Sequence, residues 1–200
     1  MNDNLSIVIP TRNRKKYLER SLYYLNQKRC PYQIFIGDSS FNKNALDKKF
    51  LKNYKLKIYF SKSPFEKTYK DFLKKMKKII IKVKTKYIYW LCDDDFINIK
   101  LLNEGNDILN NSKYETFIGR VRNFSIKDIN NEWSDLILNN YQYTKLNTGI
   151  KKELESPKFI NRFKNLRYIQ PYEAIVKKKT ILQVLNFSIK NNIKNTHDFS

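Results

Sequence analysis

The chain is poor in the residues that build disulfide frameworks and thiol-bound metal sites. Its 200 residues include two cysteines, Cys30 and Cys92, and one histidine, His197. With no CxxC pair and no Cys/His cluster, neither a disulfide framework nor a Cys/His zinc site can be assembled. Any metal that this protein uses must therefore bind to oxygen ligands.

Long apolar runs are also missing. Apolar residues make up 41% of the chain, but no stretch approaches the roughly 20 apolar residues needed to cross a bilayer. The first four residues are polar, and the apolar run 7–9 is too short for the core of a secretory signal. We therefore expect a cytoplasmic protein, and 200 residues suffice to bury the core of one α/β domain.

Acidic residues are few relative to basic ones. The sequence has 40 Lys and Arg against 19 Asp and Glu, a formal net charge of +21. Such an excess suits nucleic acid, phosphate-bearing ligands or anionic lipid head groups. However, the many lysines, asparagines and isoleucines are also what an AT-rich genome encodes at unconstrained surface positions. The aromatic residues lie in apolar blocks rather than in a stacking motif for single strands, which disfavours nucleic acid as the partner.

Short apolar segments alternate with amphipathic ones through the first half of the chain. The predicted strands are 5–10, 33–37, 56–60 and 87–92, and the predicted helices between them are 14–28, 45–53 and 65–82. Strands that alternate with helices predict a parallel sheet. Asn13 is predicted to cap the first helix, because an asparagine side chain can accept hydrogen bonds from the first helical turn.

The second half of the chain has weaker patterns. It predicts a helix at 101–110, an extended segment at 116–124, a strand at 172–176 and a helix at 180–187. No repeat and no linker rich in proline or glycine divides the sequence. We therefore predict one α/β domain over residues 1–200, with a mostly parallel central sheet flanked by helices.

Acidic side chains follow two of the predicted strands. Strand 87–92 runs into Asp93, Asp94 and Asp95, the densest acidic cluster of the chain. Three adjacent carboxylates repel one another unless a cation neutralises them, and Mg²⁺ or Mn²⁺ takes one or two carboxylates together with substrate phosphates. The cluster therefore predicts a divalent metal site. The alternative is an acidic loop that is merely solvated.

Asp38 ends the second predicted strand, at the carboxyl edge where open parallel sheets bind ligands. Its carboxylate can accept hydrogen bonds from a nucleobase or a ribose hydroxyl, and the alternative is an Asx turn without a ligand. Arg12 follows the first strand, and its planar guanidinium can reach a base or a phosphate.

Three segments of the chain carry a family resemblance: IVIPTRNR at Ile7–Arg14, QIFIGDSS at Gln33–Ser40 and YIYWLCDDD at Tyr87–Asp95. The first resembles the opening of the family 2 glycosyltransferases of the GT-A fold, and the second resembles the second strand of that family. The third is similar to the strand that carries the family's metal-binding DxD-type motif. Their order and spacing make the resemblance specific over residues 5–100, and it is looser beyond.

This resemblance implies a Rossmann-like GT-A domain in which residues 1–100 bind a nucleotide sugar and residues 101–200 face the acceptor. The residues that it places on the nucleotide sugar are Pro10, Thr11, Arg12, Asp38, Asp93 and Asp94. The residues that it places on a divalent metal, Mn²⁺ or Mg²⁺, are Asp94, Asp93 and Asp95.

The sequence departs from the family pattern at three places. Gly37 stands where the first residue of an acidic pair is common, and Cys92 stands where the first aspartate of the DxD motif often falls. The usual Asn/Gly pattern is missing around residues 62–78, where Lys67 and Lys70 are candidates for contact with the donor.

The end of the chain resembles the region around the family's general base. Tyr172–Phe187 is similar to the segment before that element, and His197 and Asp198 occupy the place of the element itself. The resemblance implies that Asp198 is the catalytic base, and the alternative is a frayed terminal residue. In relatives a helix follows, which implies a chain shortened on its acceptor side.

Together these features predict an inverting, metal-dependent glycosyltransferase. It would move a sugar from a nucleotide-diphosphate sugar, with a UDP-linked donor favoured, to a hydroxyl of a glycan or lipid-linked acceptor. The expected location is the cytoplasm, with the basic surface placed peripherally at the inner face of the membrane. Two alternatives stay open: a shortened, non-catalytic GT-A scaffold that binds a nucleotide or a partner, and a basic nucleic-acid-binding protein.

Overall fold

The computed structural model describes residues 4–41, 46, 48–118 and 174–192. All of them belong to a compact unit assigned to residues 1–118 and 172–200, and residues 119–171, assigned to a second unit, lie outside the description. The single-domain organisation therefore stays a prediction.

Strands and helices alternate along the described residues. The strands are β1 (Leu5–Thr11), β2 (Gln33–Asp38), β3 (Ile58–Lys62), β4 (Tyr87–Trp90), β5 (Thr116–Ile118) and β6 (Ala174–Lys177). The helices are α1 (Lys15–Gln27), α2 (Lys48–Leu51), α3 (Tyr69–Lys82), α4 (Ile99–Asn110) and α5 (Lys178–Lys190). Within these residues, no helix combines the length and the apolar character that a membrane crossing requires.

The strands form one sheet in the order β3-β2-β1-β4-β6-β5. The first four strands of this order are parallel, which confirms the predicted parallel arrangement. Strand β6 runs antiparallel to both of its neighbours, β4 and β5. The sheet is therefore mixed, and its parallel part carries the strand ends singled out from the sequence.

Helices cover both faces of the sheet. Successive side chains of β1 point to opposite faces, so they pack against different helices. Ile7 and Ile9 belong to the core under α1 and α4, whereas Val8 belongs to the core under α3 and α5. Because apolar residues must fill both faces, β1 reads as a continuous hydrophobic run rather than as an alternating pattern. A three-layer α/β/α arrangement follows.

Several predicted boundaries differ from the structure. Asn13 does not cap α1, so that prediction is wrong. Its backbone adopts a left-handed φ of 56°, and its side-chain oxygen accepts a hydrogen bond from Phe41 N at 3.1 Å. Helix α3 begins at Tyr69 rather than near residue 65, because Thr68 and Asp71 form a capping box there.

Two elements after β2 also differ from their predictions. Of the helix predicted at 45–53, the described residues show the single turn Lys48–Leu51. Strand β3 is displaced by two residues, from 56–60 to Ile58–Lys62, because its register is set by pairing with β2. Local pattern thus identified the elements but not their ends.

Gly37 allows α3 to lie close to β2. A Cβ atom at this position would stand 1.9 Å from Cδ1 of Ile79 and 2.9 Å from its Cγ1. The side-chain stem of Lys75 passes the same point, with its Cγ at 3.7 Å. The glycine that departs from the family's acidic pair is therefore explained by packing.

We expect Gly37→Ala to lower the free energy of unfolding by about 1–3 kcal/mol, because the added methyl overpacks the buried Ile79 side chain. Urea unfolding measures the change. Ile79→Val removes Cδ1, so the double variant should lose less than the sum of the two single variants. Strictly additive losses would contradict the proposed clash.

Candidate functional site

The ends of β1, β2 and β4 meet at one edge of the sheet. Thr11 and Asp38 are direct partners in the pairing of β1 with β2. Asp93 lies three residues beyond β4, and its Oδ2 accepts a hydrogen bond from Thr11 Oγ1 at 2.7 Å. Three residues predicted from separate motifs are therefore brought to the same place.

Asp93 is a buried carboxylate, 4% exposed. Burial raises its pKa to about 6, while the Thr11 hydrogen bond and the Arg14 charge act in the opposite direction. This environment holds the carboxylate in one orientation at the strand end.

Arg14 joins the first two residues of the acidic cluster. Its Nη1 lies 3.3 Å from Asp93 Oδ1, and its Nη2 donates a hydrogen bond to Asp94 Oδ2 at 2.5 Å. The guanidinium also lies 4.4 Å from the centroid of the Tyr17 ring. Arg14 stands inside the IVIPTRNR motif, but sequence reasoning assigned it no role at the site.

The acidic cluster has the donor chemistry of a site for Mg²⁺ or Mn²⁺. Carboxylate oxygens are the ligands that these ions prefer, and one or two from the protein are sufficient. The Arg14 guanidinium already bridges Asp93 and Asp94, so this pair accepts a shared positive charge. Burial and the Asp94 charge raise the pKa of Asp95.

Asp93, Asp94 and Asp95 do not form a three-carboxylate metal site in the described part of the chain. No three His, Cys, Asp or Glu side chains converge there closely enough to hold a metal ion. A metal at this edge would therefore need oxygens from the substrate or water, and metal binding stays a prediction.

Asp38 organises the loop that follows β2. It is 1% exposed, and its two oxygens accept hydrogen bonds from Ser40 N at 2.7 Å and Leu46 N at 3.4 Å. The Ser40 hydroxyl in turn accepts from Asn13 N at 2.7 Å. The Asx turn considered from the sequence is thus present, and contact between Asp38 and a nucleobase stays a prediction.

Arg12 lies at the same edge with aromatic and acidic neighbours. Its Nη1 donates to the Glu66 carbonyl oxygen at 3.2 Å and lies 3.7 Å from Glu66 Oε2. Its guanidinium lies 5.4 Å from the centroid of the Phe65 ring. Pro10, the neighbouring predicted residue, is half-buried in β1 and pairs with Gly37.

Lys75 is a buried cation that sequence reasoning missed. Its ammonium donates to Thr11 O at 3.2 Å and to Ser39 Oγ at 3.0 Å, and it forms an ion pair with Glu66. Burial lowers the pKa of Lys75, and Glu66 opposes this. Lys75 lies four residues before the buried Ile79, so both are on the inner face of α3, and this spacing could have indicated that Lys75 is buried.

The remaining candidates are not brought to this contact network. Lys67 is exposed and Lys70 is half-buried, so the buried lysine of this region is Lys75 instead. Asp198 and His197 lie outside the described residues. The role of Asp198 as a base stays a prediction.

We expect Thr11→Val to lower the free energy of unfolding by about 1–3 kcal/mol, because it leaves the buried Asp93 carboxylate without its hydroxyl donor. Thermal or urea unfolding measures this loss. The matched control is Thr116→Val at an exposed position of β5, for which we expect a change within about 0.5 kcal/mol. Equal changes in both variants would show that the Thr11 hydroxyl contributes nothing specific.

The sequence matches a known protein family, and the fold resembles that of solved structures. The model of glycosyl transferase family 2 matches residues 6–169. No curated protein matches the chain. Among solved structures, S. aureus TarS 1–349 is 14% identical with a TM-score of 0.55, covering 96% of this chain and 50% of that one. S. aureus TarS 1–349 in complex with UDP-GlcNAc is 17% identical with a TM-score of 0.48, covering 57% and 33%.

The chain thus spans half or less of the length of these TarS chains. The likeness to TarS 1–349 concerns the fold, and it agrees with the predicted GT-A-like α/β architecture. Because the family model covers residues 6–169, well over half of the sequence, the chain belongs to glycosyl transferase family 2.

Proposed function

We propose that this chain is a glycosyltransferase domain that binds a nucleotide-diphosphate sugar at the carboxyl edge of β1, β2 and β4. One observation carries the proposal: Thr11, Asp38 and Asp93 meet at this edge in a chain that matches a glycosyltransferase family. Open α/β sheets bind ligands at this edge.

The donor fits the charges at this edge. Arg14 follows β1, and its partly exposed guanidinium is of the kind that pairs well with the oxygens of a diphosphate. S. aureus TarS has been crystallised with UDP-GlcNAc and with UDP. We therefore choose UDP-linked sugars as the first donors to test.

A divalent cation is part of the proposal. Asp93 and Asp94 would hold Mn²⁺ or Mg²⁺ together with oxygens of the donor and water, and the cation when bound would neutralise the charge of the leaving diphosphate. Neighbouring residues hold these carboxylates in position. The Thr11 hydroxyl fixes one oxygen of Asp93, and Arg14 holds Asp93 and Asp94 side by side despite their repulsion.

The transfer step is a single displacement with inversion. The acceptor hydroxyl attacks the anomeric carbon from the face opposite the diphosphate, the bond to the diphosphate breaks, and Asp198 takes the hydroxyl proton. The acceptor in this proposal is a glycan or a lipid-linked glycan. The net charge of +21 supports an acceptor presented at an anionic membrane surface.

A panel of nucleotide sugars incubated with the chain and Mn²⁺ tests the proposal, with hydrolysis and transfer followed by mass spectrometry. We expect release of a nucleoside diphosphate from at least one donor, and loss of this release when EDTA removes the cation. Absence of both turnover and nucleotide binding across the panel would contradict the function.

We expect Asp94→Asn to lower cation-dependent donor turnover at least about 100-fold, because it removes a charged oxygen ligand from the leaving-group side. The fold should persist, since Asp94 is partly exposed. The matched control is Asp107→Asn on the exposed side of α4, which should turn over donor like the unmodified chain. Retained turnover in Asp94→Asn would remove this residue from the cation site.

Asp198→Asn should lower transfer to an acceptor by about 10²–10⁴-fold, because the acceptor hydroxyl loses its general base. Binding of UDP, measured by calorimetry, should not change. A variant that loses binding and transfer together would indicate a structural role for Asp198 instead.

A further inference from the structure

A buried ion pair lies next to the carboxyl edge of β1 and β2, where we propose that the donor binds. Lys75 on α3 and Glu66 in the loop before α3 are each 4% exposed, and their charged groups are in contact. Removing two charges from water is costly, so a buried pair is poor evidence for stability by itself. Its contacts suggest a different use.

Acceptor groups of the protein surround the buried Lys75 ammonium. It donates to Thr11 O at the end of β1 and to Ser39 Oγ just after β2, and it forms an ion pair with the Glu66 carboxylate. With these contacts and an exposure of 4%, Lys75 is shielded from a substrate. Lys75 therefore acts on the site through other residues.

Glu66 carries the connection outward to Arg12. One Glu66 oxygen faces Lys75, and the other lies 3.7 Å from Arg12 Nη1, which also donates to the Glu66 carbonyl at 3.2 Å. The Arg12 side chain is 32% exposed. Lys75 on the inner face of α3 is therefore connected through Glu66 to the partly exposed Arg12 guanidinium at the carboxyl edge of the sheet.

Aromatic rings stand beside this guanidinium. Phe65 lies under Arg12 and stacks on Phe41, with ring centroids 4.3 Å apart and an angle of 14° between the planes. Phe41 is 53% exposed and Phe65 is 38% exposed. Planar aromatic faces next to a cation suit the planar, polar nucleoside end of a donor.

We propose that Glu66 and Lys75 are positioning residues for nucleotide binding: the buried pair holds Arg12 and Phe65 where the nucleoside end of the donor lies. This inference rests on the proposed function, since it assumes that the edge binds a nucleotide. It adds that the affinity for the nucleotide depends on a pair that does not touch it.

UDP binding to the full chain, measured by calorimetry with Mg²⁺ present, tests the inference. Glu66→Gln should weaken binding about tenfold, the effect of losing one coupled contact. Glu66→Gln leaves Lys75 buried without its counter-charge, so a second variant, Glu66→Gln/Lys75→Met, removes both charges together. It should also weaken binding about tenfold. The matched controls are the exposed positions Glu104→Gln and Lys78→Met, which should bind UDP like the unmodified chain.

Arg12→Gln separates positioning from a general structural effect. In the unmodified chain it should weaken UDP binding, whereas in the Glu66→Gln/Lys75→Met background it should have little further effect, because Arg12 is already misplaced. Unchanged UDP affinity in the double variant, or a full additional loss from Arg12→Gln, would overturn the inference while the proposed function stands. If the unmodified chain binds no UDP or other nucleotide, the proposed function falls and the inference falls with it.

Discussion

The parallel pairing of β1 with β2 and β4 is the constraint on which the site depends. Parallel strands place their carboxyl ends at one edge, so residues distant in sequence become neighbours without any further device. Thr11 lies opposite Asp38 through this register, and its hydroxyl reaches Asp93, 82 positions along the chain. A change in register would separate them, because side chains alternate between the two faces of a strand.

The edge is built from buried polar groups rather than from apolar packing. The Thr11 carbonyl oxygen accepts hydrogen bonds from Ser39 N, Ser39 Oγ and Lys75 Nζ. Each carboxylate oxygen of Asp38 accepts a hydrogen bond from a backbone N–H group of the following loop. Such groups are costly to bury unless they are paired. Arg12, Arg14 and Asp94 are partly exposed charged groups at this edge.

Features of the fold and site that depend on local sequence could be predicted, whereas those that depend on three-dimensional packing could not. The strands and helices could be predicted because apolar periodicity is local, and Thr11, Asp38 and Asp93 could be placed at one edge because topology follows from alternation. The hydrogen bond between Thr11 and Asp93 could not, since it depends on register. Lys75 was missed because lysine is usually exposed. Asn13 was wrongly predicted to cap α1, because its side chain accepts a hydrogen bond from the loop after β2 instead.

The position of β6 between β4 and β5 has a consequence for synthesis on the ribosome. Residues 5–90 contain the whole parallel part of the sheet, yet one side of β4 gains its partner only when Ala174–Lys177 has emerged. Until then the nascent chain carries an open, apolar strand edge, which is the kind of surface that templates association between chains. Chaperone demand during translation should therefore persist until the last quarter of these 200 residues is made.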